Sequence, residues 1–504
     1  MKKRFFDSMN WLHTWTGLIL GWLLFAVFLT GTLAFFQYEI TDWMQPEIIH
    51  PAQTTKAVGQ AQAFLSQNAN DSERWSITVP SQRESVTTLF WRDPNAGGRG
   101  FRRATLDGTG EEVAIRETRG GGFFYRFHFD LHYMPVLWAR WLVGIASMCM
   151  LVAIVSGVII HKRIFKDFFT FKPGKGMRSW LDAHTISSVL ALPFHFMITY
   201  TGLVTLMLMY FTWSITLSQG DRGALFNALN GEPAPTQNAG EPAPVASLQA
   251  IFNDATARID GAPISFISVT NPGDSGAMVE LTEAPTQSLV SDYRKLTYSA
   301  ATGEFISLTP VTFAAEQTRR TMINLHAGRF AGLQLRWLYF ISGIVGTLMV
   351  ATGLVLWLKK RKQTSTLHSG HRLVEVLNFG TLMGLPFAVA AYFAANRLLP
   401  LTIAERSDME IHCFFAAWAF MLVYGLIRSK SRIWLEGAVI TACAFFLLPI
   451  ISVFTVDRHI GTYTIGPDNT LLYMDLAILF TAIGFSVMAR YIYRSTLKKE
   501  VSLV

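Results

Sequence analysis

The sequence predicts a polytopic α-helical membrane protein. We expect about eight transmembrane helices, with two extracytoplasmic α+β domains inserted in a tandem-repeated four-helix core. Hydrophobic residues make up 51% of the 504-residue chain, including 38 Phe and 14 Trp. They concentrate in runs of about 20 residues, the length that crosses a hydrocarbon core about 30 Å thick. Landmark residues of the first four runs also recur at fixed offsets.

Eight apolar runs are long enough to be predicted as spans. They cover residues 15–36, 137–160, 186–213, 337–358, 374–395, 411–427, 433–454 and 471–491. The first run is too long for the hydrophobic region of a signal peptide, and no small-residue cleavage site follows Phe36. We therefore expect it to remain as a membrane anchor.

Basic residues predict the orientation of these spans. Lys and Arg cluster within residues 2–4, 162–178, 359–362, 428–432 and 494–499. Eight spans place all five clusters on one side of the bilayer, and the positive-inside rule makes that side the cytoplasm. The net charge of +8 is thus explained by topology and not by nucleic-acid binding. We expect both termini in the cytoplasm and the two long loops outside it.

Polar segments alternate with the spans. Spans one to four fall in residues 1–36, 135–161, 184–213 and 336–358, and a C-terminal four-helix membrane region fills 359–504. A basic cytoplasmic loop occupies 162–183, the outer domains occupy 37–134 and 214–335, and a Pro/Ala-rich linker lies at 231–246. Each outer domain shows a helix, strands and a final strand–turn–strand whose turn contains Thr-Gly-Glu.

Landmarks in the first four spans recur with two offsets. The offset is 171 residues between spans one and three (184 − 13 and 202 − 31), and 196 between spans two and four (336 − 140 and 353 − 157). Two tandem units of the same orientation, related by a pseudo-twofold axis along the membrane normal, account for both offsets. The recurring landmarks are His13 and His184, Gly31 and Gly202, Arg140 and Arg336, and Gly157 and Gly353.

Histidines at the ends of these spans are the candidate cofactor ligands. His13 and His184 are equivalent by the repeat, whereas matching His128 to His326 needs an insertion of two residues, and His132 competes with His128. A pseudo-twofold axis would bring the two members of each pair together. Facing imidazoles are what bis-histidine ligation of haem iron requires. The alternative for each histidine alone is an interfacial residue without a cofactor.

Three further residues carry two interpretations each. His195 lacks a repeat copy because position 24 is leucine, so it either ligates the outer haem or hydrogen-bonds within the bundle. Arg140 and Arg336 either pair with haem propionates or extend to the membrane interface. The glycines in the spans admit a flat macrocycle, or simply allow close helix packing.

Motifs of other cofactors are absent from the sequence. There is no G-x-G-x-x-G after a strand, no P-loop and no H-E-x-x-H, and the three cysteines form neither C-x-x-C nor C-x-x-C-H. These absences argue against nicotinamide, flavin and ATP sites and against covalently attached haem. Electrons would have to come from a quinol, a cytoplasmic reductase or a small carrier.

Four groups of motifs carry a family resemblance over residues 1–362. They are LHTWTGL at 12–18, FHFDLH at 127–132, DAHTISSVLALPFHF at 182–196, and LHAGRF with RWLYFISG at 325–343. Together they resemble the PepSY-associated transmembrane family, iron-regulated inner-membrane proteins that include di-haem ferric-siderophore reductases. The outer domains are similar to PepSY domains. The four C-terminal spans depart from the family pattern.

The resemblance implies a multi-pass protein of the bacterial inner membrane with periplasmic outer domains. It implies two b-type haems, an electron donor that is cytoplasmic or a quinol, and a periplasmic ferric chelate as acceptor. The family's histidines match His13, His128, His184 and His326 as haem iron ligands. The expected activity is haem-dependent ferric-siderophore reduction in iron acquisition.

Two other functions stay open at this point. A siderophore or iron transporter component would use the C-terminal spans as its conduit. Against it, these spans contain few charges beyond Glu436 and Asp475, which we expect near the span ends. A PepSY-type peptide-binding regulatory protein would depend on the outer domains and not on the histidines.

Overall fold

The computed structural model describes residues 2–48, 52–81, 83–93, 100–161, 174, 176–210, 239–284, 288–290, 294–309, 314–364, 369–428, 432–463 and 469–501. Most of the predicted cytoplasmic loop at 162–183 and half of the predicted linker at 231–246 lie outside these residues, as does the end of the predicted third span. The described chain divides into two compact units. We name them the helical unit (residues 1–46, 117–206 and 333–504) and the sheet unit (47–116 and 207–332).

The helical unit contains most of the helices. They are α1 (Lys2–Ile19), α2 (Gly21–Ala34), α3 (Gln37–Met44), α5 (Gly122–Asp130), α6 (Val136–Ile160), α7 (Met177–Leu190), α8 (Leu192–Thr205), α12 (Leu333–Thr364), α13 (Ser369–Leu382), α14 (Gly384–Leu398), α15 (Arg406–Ile427), α16 (Ile433–Thr455) and α17 (Thr470–Val501). The sheet unit contains α4 (Thr54–Asn68), α9 (Met207–Tyr210), α10 (Leu248–Arg258) and α11 (Ala314–Ala327).

Six stretches of helix in the described chain are long and apolar enough to cross a membrane, and the number rises to eight if two bent helix pairs each form one span. The protein is therefore a multi-pass membrane protein. Many large apolar side chains on these helices are exposed, as expected for surfaces that face lipid.

The predicted first and third spans correspond to bent helix pairs. The pair α1–α2 is bent by 63° and the pair α7–α8 by 66°. The breaks fall at Leu20 and Ala191, which are separated by the same 171 residues (191 − 20) as the histidines. Pro193 explains the second break, because proline lacks an N–H and its ring clashes with the carbonyl four residues earlier. At the first break, Gly21 lets the Leu354 side chain of α12 approach closely.

The sheet unit is built on seven strands. They are β1 (Arg74–Thr78), β2 (Thr87–Arg92), β3 (Phe101–Leu106), β4 (Ile264–Thr270), β5 (Met278–Glu283), β6 (Lys295–Ser299) and β7 (Phe305–Leu308). The strands of both predicted outer domains form one antiparallel sheet in the order β3-β2-β1-β4-β5-β6-β7. The two halves meet where β1 pairs with β4, with Ile77 opposite Ile267.

One hydrophobic core joins the two halves of the sheet unit. Buried side chains alternate along β5 with the period of two expected for a sheet covered on one face. Val58 and Leu65 of α4, and Ile251 of α10, belong to the same core as the sheet residues. Gln62 of α4 accepts a hydrogen bond from the N–H of Leu248 at 2.8 Å, so the helices are also linked.

Two details of the predicted outer segments differ in the structure. Helices α3 and α5, predicted within the first outer domain, belong to the helical unit. The strand expected after the Thr109-Gly110-Glu111 turn is reduced to a single bridge between Leu106 and Glu112. The equivalent hairpin in the second half is complete, since β6 pairs with β7.

Candidate functional site

The rings of His13 on α1 and His184 on α7 face each other within the helical unit. Their centroids lie 6.3 Å apart and their planes are inclined by 65°. Each histidine lies before the break of its bent helix pair, near the end that the charge pattern assigns to the cytoplasm.

Matching backbone contacts orient the two rings. The Nδ1–H of His13 donates to the Ala153 carbonyl at 2.8 Å, and that of His184 donates to the Met349 carbonyl at 2.9 Å. This tautomer leaves the Nε2 lone pair of each ring free for a metal. Within the described residues, neither Nε2 makes a hydrogen bond. A histidine that binds a metal through one ring nitrogen commonly donates the N–H of the other to a carboxylate, a backbone carbonyl or water.

Glycine lies against each ring. A Cβ added at Gly157 would lie 3.1 Å from Cε1 of His13, and one added at Gly353 would lie 3.1 Å from Cε1 of His184. Any larger residue would therefore press on the imidazole. The two positions are 196 residues apart (353 − 157), the offset found between the second and fourth spans.

The geometry of this pair fits a shared haem iron. Two imidazoles on opposite sides of one metal place their ring centroids roughly 6 Å apart, because a metal–nitrogen bond is about 2 Å long and the nitrogen lies about 1 Å from the ring centre. The measured separation of 6.3 Å agrees with this value. No group of three His, Cys, Asp or Glu side chains in the described part of the chain is arranged to hold a metal ion.

His128 lies elsewhere in the helical unit, on the short helix α5. Its Nδ1–H donates to the Val27 carbonyl of α2 at 2.7 Å. A Cβ added at Gly31 would approach the His128 ring within 2.5 Å, so glycine is required there. The contacts of His128 thus have the same form as those of His13 and His184, a carbonyl on Nδ1 and a glycine against the ring.

The structure separates His132 from His128. The backbone of His132 has φ +35°, and its ring stacks on Phe415 of α15 with centroids 5.6 Å apart. Burial lowers the pKa of His132, and the neighbouring His412 and Arg119 lower it further, whereas the Asp408 carboxylate partly opposes them. Of the two competing candidates, His128 faces α2 and His132 faces the C-terminal helices. His326 lies near the end of α11, in the sheet unit.

His195 is fully buried on α8. Its ring packs edge-on against Phe28, and a Cβ added at Gly346 would lie 3.1 Å from Nε2. Neither ring nitrogen makes a well-formed hydrogen bond with the described residues, although the Ser188 backbone lies close by. A buried imidazole whose nitrogens lack well-formed hydrogen bonds is costly.

Carboxylates engage both candidate propionate partners. The Nε–H of Arg140 donates to Asp130 at 2.7 Å, and Arg336 forms a salt bridge with Glu39. Each arginine therefore already has a counter-ion, and a propionate at either position would have to share it.

A buried polar network in the C-terminal helices was not predicted. Arg406 and Glu410, one helical turn apart on α15, are fully buried, as is Asn396 on α14. Asp475 lies near the start of α17, as predicted, but it is fully buried and accepts hydrogen bonds from Trp43 and Tyr463. The i, i+4 spacing of Arg406 and Glu410 at the start of an apolar run was the signal in the sequence.

Comparison with known proteins agrees with the motifs. The family model of the PepSY-associated TM region matches residues 10–360. An uncharacterized protein of Pseudomonas aeruginosa is 27% identical over 289 residues, which cover 52% of this chain and 69% of the relative. The family match contains all eight candidate site residues and ends before α13. The chain therefore belongs to the PepSY-associated transmembrane family.

Proposed function

We propose that this protein carries electrons across a bacterial inner membrane through b-type haem and reduces a ferric chelate on the periplasmic side. The observation that carries the proposal is the His13–His184 pair, with ring centroids 6.3 Å apart and each Nδ1 fixed on a backbone carbonyl. Ionisable side chains are rare in membrane spans and mark functional sites, and here two such histidines lie side by side.

The proposed role of His13 and His184 is axial ligation. Hydrogen bonds to the carbonyls of Ala153 and Met349 fix the tautomer and raise the basicity of Nε2. A haem bound between two imidazoles supplies a one-electron couple whose potential is set by its ligands and burial. Glycine at 157 and at 353 leaves the space that the two hydrogen-bonded rings occupy.

A second haem would use His128. Its proposed partner within the helical unit is His195, the alternative that the sequence left open. The contacts of His128 with Val27 and Gly31 support it as a ligand, and the nitrogens of His195, which lack well-formed hydrogen bonds to the described residues, support that partner. Haem at two depths would carry an electron between the two faces of an insulating layer.

The proposed acceptor is ferric iron held by a chelator. Reduction to ferrous iron adds one electron and weakens hard-oxygen coordination, which releases the metal. The donor would be a quinol or a cytoplasmic reductase.

Proteoliposomes test electron transfer directly. Haem-loaded protein is reconstituted with an impermeant reductant trapped inside, and ferricyanide or ferric citrate is added outside. We expect acceptor reduction by the wild type and by His459→Ala, whose histidine lies in a loop between α16 and α17, and its loss in His184→Ala. Wild-type liposomes that reduce ferricyanide no faster than protein-free liposomes would refute the proposal.

The bent helix pairs support a second candidate, a siderophore or iron transporter component. Broken helices expose backbone groups inside a membrane and are typical of transporter binding sites. Uptake of ⁵⁵Fe-labelled chelate into the same liposomes distinguishes the two. Label accumulating in the lumen without ferrous iron outside would favour transport.

A further inference from the structure

The helices from Ser369 onward lie beyond the family match, and two of them, α14 and α15, pack against α5. Phe123 of α5 packs against Tyr392 of α14 and Phe414 of α15, with ring centroids 5.0 Å apart in both cases. Phe127 packs against Phe414 and Phe415. The other side of α5 carries His128, which bonds to α2. The C-terminal helices therefore pack against one side of α5, and a candidate haem ligand lies on its other side.

The segment that leads into α5 is poorly restrained by its own sequence. It contains the run Gly120-Gly121-Gly122, and α5 has no side-chain hydrogen bond capping its N-terminus. Glycine loses more conformational freedom on folding than any other residue, so this entry is loose unless other groups hold it.

The C-terminal helices hold this entry residue by residue. In order along the chain, Arg406 donates to the Glu117 carbonyl at 2.8 Å, Thr118 donates to Glu410 at 2.5 Å, Arg119 pairs with Asp408 at 3.2 Å, and Tyr392 donates to the Gly120 carbonyl at 2.9 Å. Four consecutive residues thus have partners on α14 or α15.

The exit from α5 is held by the same helix. Leu131, His132 and Tyr133 all have positive φ, which costs free energy in residues other than glycine. The Tyr133 ring stacks on His412 of α15 and its hydroxyl hydrogen-bonds to the same residue. Contacts with α15 therefore fix both ends of α5.

The buried ion pair at the centre of these contacts is a weak source of stability. Arg406 and Glu410 are 2.5 Å apart and fully buried, and Asn396 donates to the same carboxylate at 2.8 Å. The desolvation cost of such a pair cancels much of its attraction, so apolar replacement is often neutral for stability. The pair instead orients the segment before α5, because Arg406 donates to the Glu117 carbonyl and Glu410 accepts from the Thr118 hydroxyl.

We propose that the C-terminal helices position His128, with Arg406 and Glu410 as positioning residues that act through the 117–121 segment and α5. The proposal rests on the proposed function in so far as His128 is a haem ligand. The contacts that hold α5 do not depend on haem.

Hydrogen–deuterium exchange of the full-length protein tests the proposal. The variant Arg406→Met/Glu410→Leu removes both charges and keeps the volume. The matched control is Arg428→Met/Glu436→Leu, which removes the more exposed ion pair between the other end of α15 and α16. We expect exchange in residues 117–130 to rise about tenfold in the first variant, because local opening loses its restraints. The control should exchange as the wild type does.

Two further readouts separate positioning from a general structural role. Thr118→Val removes the hydrogen bond to Glu410 and the one that the Thr118 hydroxyl accepts from the Gly120 N–H, and it should raise exchange in 117–130 about threefold. This variant covers the case in which the double variant fails to fold. In haem-loaded protein, the electron paramagnetic resonance signal of one haem should shift in the double variant while the other stays unchanged.

Exchange in 117–130 that stays at the wild-type level in Thr118→Val and in a folded double variant would overturn the proposal. A rise spread evenly over the whole chain would also overturn it, since that is loss of stability. Raised exchange in protein that binds no haem would support the positioning of α5 and refute the proposed function. Bound haem together with unchanged exchange would support the proposed function and refute the positioning of α5.

Discussion

The side chains of His13 and His184 lie with their ring centroids 6.3 Å apart, each bonded through Nδ1 to a carbonyl on a neighbouring helix. The two carbonyls belong to Ala153 and Met349, which are 196 residues apart (349 − 153). The environment of each imidazole is thus matched to that of the other, as the tandem repeat predicts.

Gly353→Val should disrupt this pair. A Cβ at this position already lies 3.1 Å from the His184 ring, and the larger side chain would displace it. We expect haem affinity at the pair to fall about 10- to 100-fold, the effect typical of a disturbed ligand orientation. Haem titration monitored by absorption measures it. Gly484→Val is the control because an added Cβ there meets nothing within 4 Å, and equal losses in both variants would contradict the account.

His195→Leu should stabilise the haem-free protein. The wild-type imidazole is buried with neither nitrogen well bonded, and leucine removes that cost. We expect a gain of about 1–2 kcal/mol in the free energy of unfolding, measured in mixed micelles. Haem content of the same variant separates the two interpretations of His195, since loss of haem assigns it as a ligand. A destabilised haem-free variant would contradict this prediction.

Asp274→Asn should make the sheet unit less stable at neutral pH. Partial burial raises the pKa of Asp274, but hydrogen bonds from the backbone N–H groups of Ala239, Gly276 and Gly240 outweigh it, so the pKa lies below its usual range. A carboxyl whose pKa is lowered in the folded state stabilises above its ordinary pKa, and the contribution is lost as the pH falls through the folded value. Thermal melts of both proteins should differ at pH 7 and converge in acid, once the Asp274 carboxyl is protonated in the folded protein. A difference independent of pH would rule out this cause.

The sheet unit should unfold as one cooperative unit. Ile77 on β1 and Ile267 on β4 are both fully buried and lie opposite each other. Replacing either one with alanine should cost about 2–5 kcal/mol and shift a single transition. Ile306→Ala on β7, where the side chain is exposed, should have little effect. Two separate transitions, each moved by only one of the buried substitutions, would show that the halves fold independently.

Local patterns predicted much of this molecule. Apolar length identified the spans, and alternation with turn residues identified the strands of the sheet unit. The motifs identified the family, which the match over residues 10–360 confirms. The offset of 171 residues led us to expect His13 near His184, and their rings face each other.

Features that depend on distant contacts were not predicted. The bend at Leu20 has no proline, and the close approach of Leu354 to Gly21 is visible only in three dimensions. The pairing of β1 with β4 could not be predicted from either outer segment alone, because the partner of each of these strands lies in the other segment. The position of Asp475 near the end of its span was predicted, whereas its hydrogen bonds with Trp43 and Tyr463 come from other segments of the chain.

The most direct test of the central claim is the reduced-minus-oxidised absorption spectrum of the purified protein, with haem quantified as pyridine haemochrome. We expect sharp b-type bands in the wild type. We also expect that His13→Ala and His184→Ala each remove the same haem, while His459→Ala removes none. A flat wild-type spectrum after expression with added haem would contradict the account, and so would full haem content in both His13→Ala and His184→Ala.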